Sequence, residues 1–528
     1  MRTNPLDIYQ QVVMSLLFYP RGGAAQCMRY LATALTSRGI PLSLISGSLG
    51  AAGDPSHAPT FFGSLPLAVA DYTPASRAAL AGADPIAAPI PLHPSYEDRP
   101  GAPDRIATAV SPRLAEHLII VWQQLLCQAI SHPAPIFHLH HLTSQHDAVA
   151  RNWPTRPIIS HLHGTELAML EQITERTKIA EALGMTLADM PMFVQSQPTQ
   201  SRLRRLSAHQ LQYLSTTRWE QWRYGAFWAA RLRAAAQRSQ RLIAPSPYVH
   251  AQALRLLGVD AARVTVIPNG VDTEQFRPRA LAPATALTHL RRWLVDNPQG
   301  WDEQGVPGSV RYTLDDLRAF VDPQDGTLYP ILLFVGRFVA SKRVGLLLRA
   351  YRRARPSFTV PAPLLIWGGF PGEWEGEHPV TIAQREGEDG VFFTGWRGHS
   401  ELAAGMNVAA ALVAPSVNEA FGLVYLEAMA SGVTVLATDS GGPPTFINTD
   451  PDRPSGWLVP PDEEIALAAA LVEVVNQPDE RARRAATAYQ QVHDTFAWER
   501  IAARVEQLYQ DVQQEVHSVE NLTVTMRH

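Results

Sequence analysis

The sequence predicts an α/β protein of two domains, each a parallel β-sheet covered by helices on both faces. Three observations carry this. A chain of 528 residues exceeds what one ordinary core accommodates, so it should divide. Short continuous apolar runs alternate with segments of helical spacing along most of its length, the pattern of strands buried on both faces. Twelve such runs are too many for one open sheet of usual size. They fall into two sets around a turn-rich stretch, Pro268-Asn269-Gly270-Val271-Asp272.

The first set of strands is Val12–Phe18, Leu42–Ile45, Ile136–Leu139, Ile158–Leu162, Leu242–Pro245 and Val264–Ile267. The second is Ile331–Val335, Leu364–Trp367, Val391–Phe393, Ala411–Val413, Val433–Ala437 and Trp457–Val459. Helical spacing stands between them, as in Met28–Ser37, Arg343–Ala354 and Leu423–Ala430. The expected domains are therefore 1–268 and 269–498. Two regions read as insertions: about 50–105, rich in Ala, Pro and Gly, and about 280–328, mixing charges with glycines and prolines. Surface decoration is the simpler reading of both; the alternative is that they shape an acceptor pocket, since long loops carry specificity.

With 46% hydrophobic and 18% charged residues and a formal net charge of −4, the chain is globular and has no electrostatic reason to bind nucleic acid. Its two cysteines, Cys27 and Cys127, exclude a disulfide framework and suit a reducing compartment, so a cytoplasmic location is expected. The apolar run Val12–Phe18 leads into Tyr19-Pro20-Arg21-Gly22-Gly23 and reads as a strand entering a loop, not as an export signal. No apolar stretch approaches the roughly 20 residues that span a bilayer. Between Arg218 and Arg241, Trp219, Trp222, Phe227 and Trp228 interleave with arginines. Such a helix either packs its apolar stripe on a sheet or makes peripheral membrane contact; packing is the expectation.

The densest chemistry lies in Glu419-Ala420-Phe421-Gly422-Leu423 and Glu427, two glutamates eight positions apart around a helix start. A helix N-terminus has free N–H groups and the positive end of the dipole, and carboxylates accept hydrogen bonds from sugar or ribose hydroxyls. Taken alone, the pair reads more readily as capping and solvated surface. Arg337 and Lys342 follow the strand Ile331–Val335 and offer a planar fork and a point charge for phosphate. Gly368 closes the strand Leu364–Trp367, either as a tight turn or to admit a nucleotide. Histidines 138, 140, 141, 146, 161 and 163 cluster. Imidazoles two apart on a strand share a face, but no cysteine or His-Glu-x-x-His pattern accompanies them in sequence. Packing or substrate contact is therefore expected and zinc is not. Asp450-Pro451-Asp452 lies in a polar loop and reads as a turn, not as a metal clamp.

The Glu419–Glu427 segment resembles the E-x7-E signature of the group-1 family of retaining nucleotide-sugar glycosyltransferases, which have the GT-B fold. Gly336-Arg337 with Lys342 resembles the family's V-G-R-x4-K element, and Ile267-Pro268-Asn269-Gly270-Val271-Asp272 its interdomain I-P-N-G-V-D. Ile243-Ala244-Pro245-Ser246, His163-Gly164-Thr165 and Arg21-Gly22-Gly23 resemble three further elements, in family order over residues 15–460 or so. The resemblance implies two Rossmann-like domains facing an interdomain cleft, with a last helix near 499–520 returning to the first domain.

The resemblance also implies a metal-independent reaction with no cofactor beyond the nucleotide-sugar donor, taken as UDP-glucose. Glu419 would bind the transferred sugar and Glu427 the ribose. Arg337, Lys342 and the amides near Phe421, Gly422 and Leu423 would hold the diphosphate, with Gly23 approaching it from the first domain. His163 would face the reacting sugar, and His141 the acceptor. The rival readings are a catalytically inactive sugar-binding protein and a GT-B phosphorylase or epimerase. A dehydrogenase is disfavoured because Arg21-Gly22-Gly23 is not a G-x-G-x-x-G loop.

Overall fold

The computed structural model describes residues 11–97, 104–130, 136–197, 200–387 and 389–525. Residues 98–103, inside the first expected insertion, lie outside the described residues. The chain forms two compact units: residues up to Ile267 together with those from Ala502 onward, and Pro268–Ile501.

The first unit is built on seven strands. They are β1 (Val12–Leu16), β2 (Leu42–Ser48), β3 (Leu67–Asp71), β4 (Ile136–His140), β5 (Ile158–His161), β6 (Arg241–Ala244) and β7 (Val264–Val266). All pair in parallel, in the order β3-β2-β1-β4-β5-β6-β7. The central strands are buried along their whole length, as helices on both faces require. Strand β3 departs from expectation: it lies in the 50–105 region, which therefore supplies an edge strand. Its Leu67-Ala68-Val69-Ala70 is a short apolar run that is only partly covered at the sheet edge. The helix Trp498–Thr525 contributes its later turns to this unit. Its Tyr509 is buried against His138, and Arg504 donates to Val266 O at 2.7 Å.

The second unit has β8 (Leu332–Gly336), β9 (Leu364–Gly368), β10 (Val391–Gly395), β11 (Ala411–Ala414), β12 (Thr434–Thr438) and β13 (Trp457–Val459). All are parallel, in the order β10-β9-β8-β11-β12-β13. This is the doubly wound order in which the chain reverses direction across the sheet between its first and fourth strands.

The 280–328 region is not surface decoration. It contributes helix Pro283–Arg291 and the fully buried Trp293, Trp301 and Phe320. Gln299 bridges Gly395 at the β10 edge. The interior Arg397 donates to Trp293 O at 2.7 Å and Asn297 O at 2.6 Å. Aromatics of this size each remove roughly 200 Å² from water, on the order of 5 kcal/mol of transfer free energy. That is why a stretch with little periodicity is held firmly.

Between Arg218 and Arg241 the packing alternative is realised. Trp219, Trp222 and Trp228 are interior. Arg176 lies over the Trp222 ring at 3.6 Å, Arg231 and Arg238 both pair with Asp147, and Arg241 pairs with Glu515. Among the described residues, no helix is long and apolar enough to cross a membrane.

Candidate functional site

In open parallel sheets, ligands bind beyond the carboxyl ends of the strands where the chain order reverses. In the second unit that point lies between β8 and β11, which are neighbours. The segment after β8 carries Arg337 and Lys342, and the segment after β11 carries Glu419. Lys342 Nζ donates to Glu419 Oε2, with 18% and 20% of the two side chains exposed. The pair is thus reachable by a ligand yet screened less than a surface pair. Val417 N–H donates to Ser341 O at 2.8 Å, joining the two loops.

The backbone at Glu419 is held from the other side by Gly441-Gly442. Glu419 bridges Gly441, and Gly442 N–H donates to Glu419 O at 2.7 Å. Gly441 has φ 79°, and a Cβ there would stand 2.4 Å from Glu419 O. Gly441→Ala should therefore cost about 1–3 kcal/mol of stability and displace Glu419, lowering activity; thermal unfolding and turnover measured together check this.

Helix Leu423–Ala430 begins after Gly422, and no side chain caps its first turn. Gly422 is required locally, whatever approaches it: its φ is 98°, and a Cβ would fall 2.5 Å from the Tyr425 ring. Gly368 and Gly369 are explained the same way. Cβ atoms there would lie 2.2 Å from Gly336 O and 2.7 Å from the Phe338 ring, so strand and ring packing dictate both glycines. Asp450 Oδ1 accepts from Asp452 N–H at 3.0 Å, the side-chain turn that the sequence suggests.

Glu427 lies in the second turn of this helix, 6% exposed. Burial pushes its carboxyl up to about 8, because the low-dielectric interior disfavours the charged form. His399, opening helix His399–Val408, places Nε2 3.4 Å from Glu427 Oε1. A carboxyl raised in the fold binds its proton more tightly than in the unfolded chain. Its contribution to stability is present below the unfolded value near 4.5 and is lost as pH rises through about 8. Glu427→Gln should therefore raise the melting temperature of the free protein by a few degrees at pH 8.5 and by less at pH 6. A melting temperature unchanged at both would show that burial does not strain this carboxyl.

In the first unit the reversal lies between β1 and β4. After β1, Gly22 (φ 71°) caps the helix Gly23–Ser37, and both glycines are exposed at its start. After β4, His141 adopts φ 64°, a left-handed conformation uncommon for a non-glycine residue. His141 Nδ1 pairs with Glu166 Oε2 at 3.0 Å, and His163 N–H donates to Glu166 Oε1 at 3.1 Å. Glu166 is wholly buried. Burial alone would raise its carboxyl, but His141 and the local hydrogen bonds outweigh it and hold it below the usual range.

His138, His140, His161 and His163 stack on one face of the sheet, with successive ring centroids 4.9–5.5 Å apart. Burial, reinforced by the neighbouring imidazoles, holds His138, His140 and His163 well below the ordinary histidine value, so these rings are neutral.

Arg337, Lys342, Glu419, Phe421, Gly422, Leu423 and Glu427 thus follow two adjacent strands of one sheet, while Gly23 and His141 follow the corresponding strands of the other and His163 the next strand, β5. Sequence reasoning missed Glu166, which holds both His141 and His163. Its signal was a glutamate three residues after His163 at a helix start, a capping position. It also missed His399, for which the sequence carries no signal.

Residues 322–491 match the family model for glycosyl transferases group 1, and residues 21–275 the model for glycosyltransferase family 4. The D-inositol 3-phosphate glycosyltransferase of Streptomyces griseus is 32% identical over 279 residues, covering 51% of this chain and 53% of that protein. Its counterpart in Nocardioides sp. is 30% identical over 288 residues, covering 52% and 54%. The chain therefore matches about half the length of these relatives. Among solved structures, sucrose-phosphate synthase from Thermosynechococcus elongatus superposes with a TM-score of 0.59 at 18% identity, covering 95% of this chain and 99% of that one. HepE of Anabaena, solved with UDP and glucose, gives 0.54 at 15% identity, covering 95% and 99%. Likeness at this level of identity establishes the fold, which is GT-B. Two family models matched in succession, over two doubly wound parallel sheets, place the chain in one family: it belongs to the group 1 glycosyltransferases.

Proposed function

We propose that the protein transfers a hexose, glucose in the first instance, from UDP to an acceptor hydroxyl with retention, giving an α-glycoside. The observation that carries this is the Lys342–Glu419 pair at the chain reversal of the second sheet, beside an uncapped helix start. When the C1–O bond to the diphosphate breaks, negative charge grows on the leaving phosphate. Arg337, Lys342 and the first amides of helix Leu423–Ala430 stabilise that charge more than the ground state. Lys342 neutralises Glu419 in the free enzyme. With donor bound, Glu419 accepts hydrogen bonds from sugar hydroxyls while Lys342 turns to phosphate.

Glu427 takes the ribose hydroxyls. His163 faces the reacting sugar, and His141, oriented by Glu166, serves the acceptor side. The acceptor proton leaves on the departing phosphate, and Arg337, Lys342 and the helix amides take the charge-neutralising part that a divalent metal would otherwise play, with no further cofactor. Complexes of HepE with UDP and with UDP-glucose support this choice of donor. The two unbridged thiols suit a reducing cytoplasm. Thermal-shift screening of nucleotide sugars, then acceptor assays with the stabilising donor, tests the reading. The acceptor panel includes D-inositol 3-phosphate, which names the relatives. Failure of every nucleotide sugar to stabilise the protein would overturn it.

A further inference from the structure

The sequence gives little reason to expect zinc, because no cysteine stands near the histidines. The fold removes that objection. Cys27, on the helix Gly23–Ser37, is buried with Sγ 3.9 Å from His161 Nε2. One ligand atom each from Cys27, His140 and His163 lies within 4.8 Å of the other two. His140 is fully buried, yet its Nε2 has no hydrogen-bond partner among the described residues. A buried polar atom left without a partner is destabilising. A bound ion would satisfy it.

We propose that Cys27, His140 and His163 form a binding site for a soft divalent cation, Zn²⁺ or its spectroscopic analogue Co²⁺. One thiolate and two imidazoles make a three-ligand set that leaves a fourth position for water or an anion. His140 Nδ1 and His163 Nε2 hydrogen-bond each other at 2.9 Å; ligand atoms on a tetrahedral ion stand about 3.3–3.7 Å apart at bond lengths of about 2.0–2.3 Å, so the ion replaces that bond as the rings turn. Of the flanking rings, His138 is engaged elsewhere, bonding Tyr509 through Nδ1 at 2.6 Å and His161 Nδ1 through Nε2 at 3.3 Å, while His161 Nε2 faces Cys27 Sγ. Binding breaks the Cys27 S–H bond and forms the S–metal bond, with one proton released to solvent. The imidazoles are already neutral and release none. If His163 acts at the reacting sugar, as the function proposed above requires, the ion withdraws it from the site and inhibits.

Cobalt titration of the full-length protein carrying Cys127→Ser tests this directly, because the chain has only two cysteines and the exposed Cys127 is then gone. The expected result is thiolate-to-cobalt charge-transfer absorption saturating at one ion per chain and displaced by Zn²⁺. His140→Gln, with folding checked by circular dichroism, should weaken the binding at least tenfold. Absence of the charge-transfer band from the Cys127→Ser protein would overturn the proposal, whatever becomes of other variants. Zinc binding without inhibition would leave the metal site standing and count against the role given to His163.

Discussion

Replacing Glu419 by Gln is expected to lower kcat by about 100- to 1,000-fold, the effect of removing one preorganised electrostatic contact from a transferase site. The substitution keeps the side chain's shape and removes its charge. Stability should barely move, because a pair with about a fifth of each side chain exposed contributes roughly 1 kcal/mol or less. The backbone hold on residue 419, through Gly442 N–H at 2.7 Å, is untouched. Lys342→Ala should reduce kcat/KM to a similar degree, because it removes the cation aimed at the diphosphate. The double variant should lose less than the product of the two single losses, since each side chain holds the other. A kcat within twofold of the parent for Glu419→Gln, with an unchanged melting temperature, would remove Glu419 from the site.

How much of this was legible in the sequence depended on whether a residue's partners were near it along the chain. Buried central strands such as β8 and β9 announce themselves, because both faces demand apolar or small residues over five positions. Strand β3 was hidden although Leu67-Ala68-Val69-Ala70 is continuous and apolar, because it stands in a stretch rich in Ala, Pro and Gly. The region around Trp293, Trp301 and Phe320 was equally obscure: its aromatics pack singly from irregular backbone, so no period marks them. In the candidate site, Glu419 and Glu427 were visible through their spacing on one segment. Pairs closed by the fold were not. Glu166 meets His141 across 25 positions, and Cys27 meets His161 across 134. The glycines carried a third kind of ambiguity. Gly422 and Gly368 looked like room for a ligand; their φ angles and the atoms a Cβ would strike give each a local reason to be glycine whether or not a ligand approaches.

Acid should unfold the first unit steeply between pH 6.5 and 4, because several imidazoles are buried uncharged. His146 shows how the neutral form is enforced. Ser239 Oγ donates to Ala235 O at 3.0 Å, so Ser160 Oγ, 2.6 Å away, donates to Ser239. His146 Nε2–H must then donate to Ser160 Oγ at 2.7 Å, while Thr143 N–H donates to its Nδ1 at 3.2 Å. A second ring proton would forfeit that bond and turn to Thr143 O, 3.1 Å from Nδ1, a gain that offsets burial only in part. Burial, only partly offset by Asp147, lowers His146 from 6.5 to about 4. The sign follows directly. Between these values the unfolded chain binds the proton and the folded one does not, so stability is complete above about 6.5 and falls as pH drops towards 4. On this basis His146 alone accounts for roughly 3 kcal/mol, and His138, His140 and His163 act in the same direction. Urea unfolding should therefore show a midpoint that drops sharply from pH 7 to pH 5. His146→Gln should be less stable at pH 7, where it loses a fitted donor and acceptor, but should have a shallower pH slope. An unchanged slope in that variant would show that His146 already carries its proton in the folded protein.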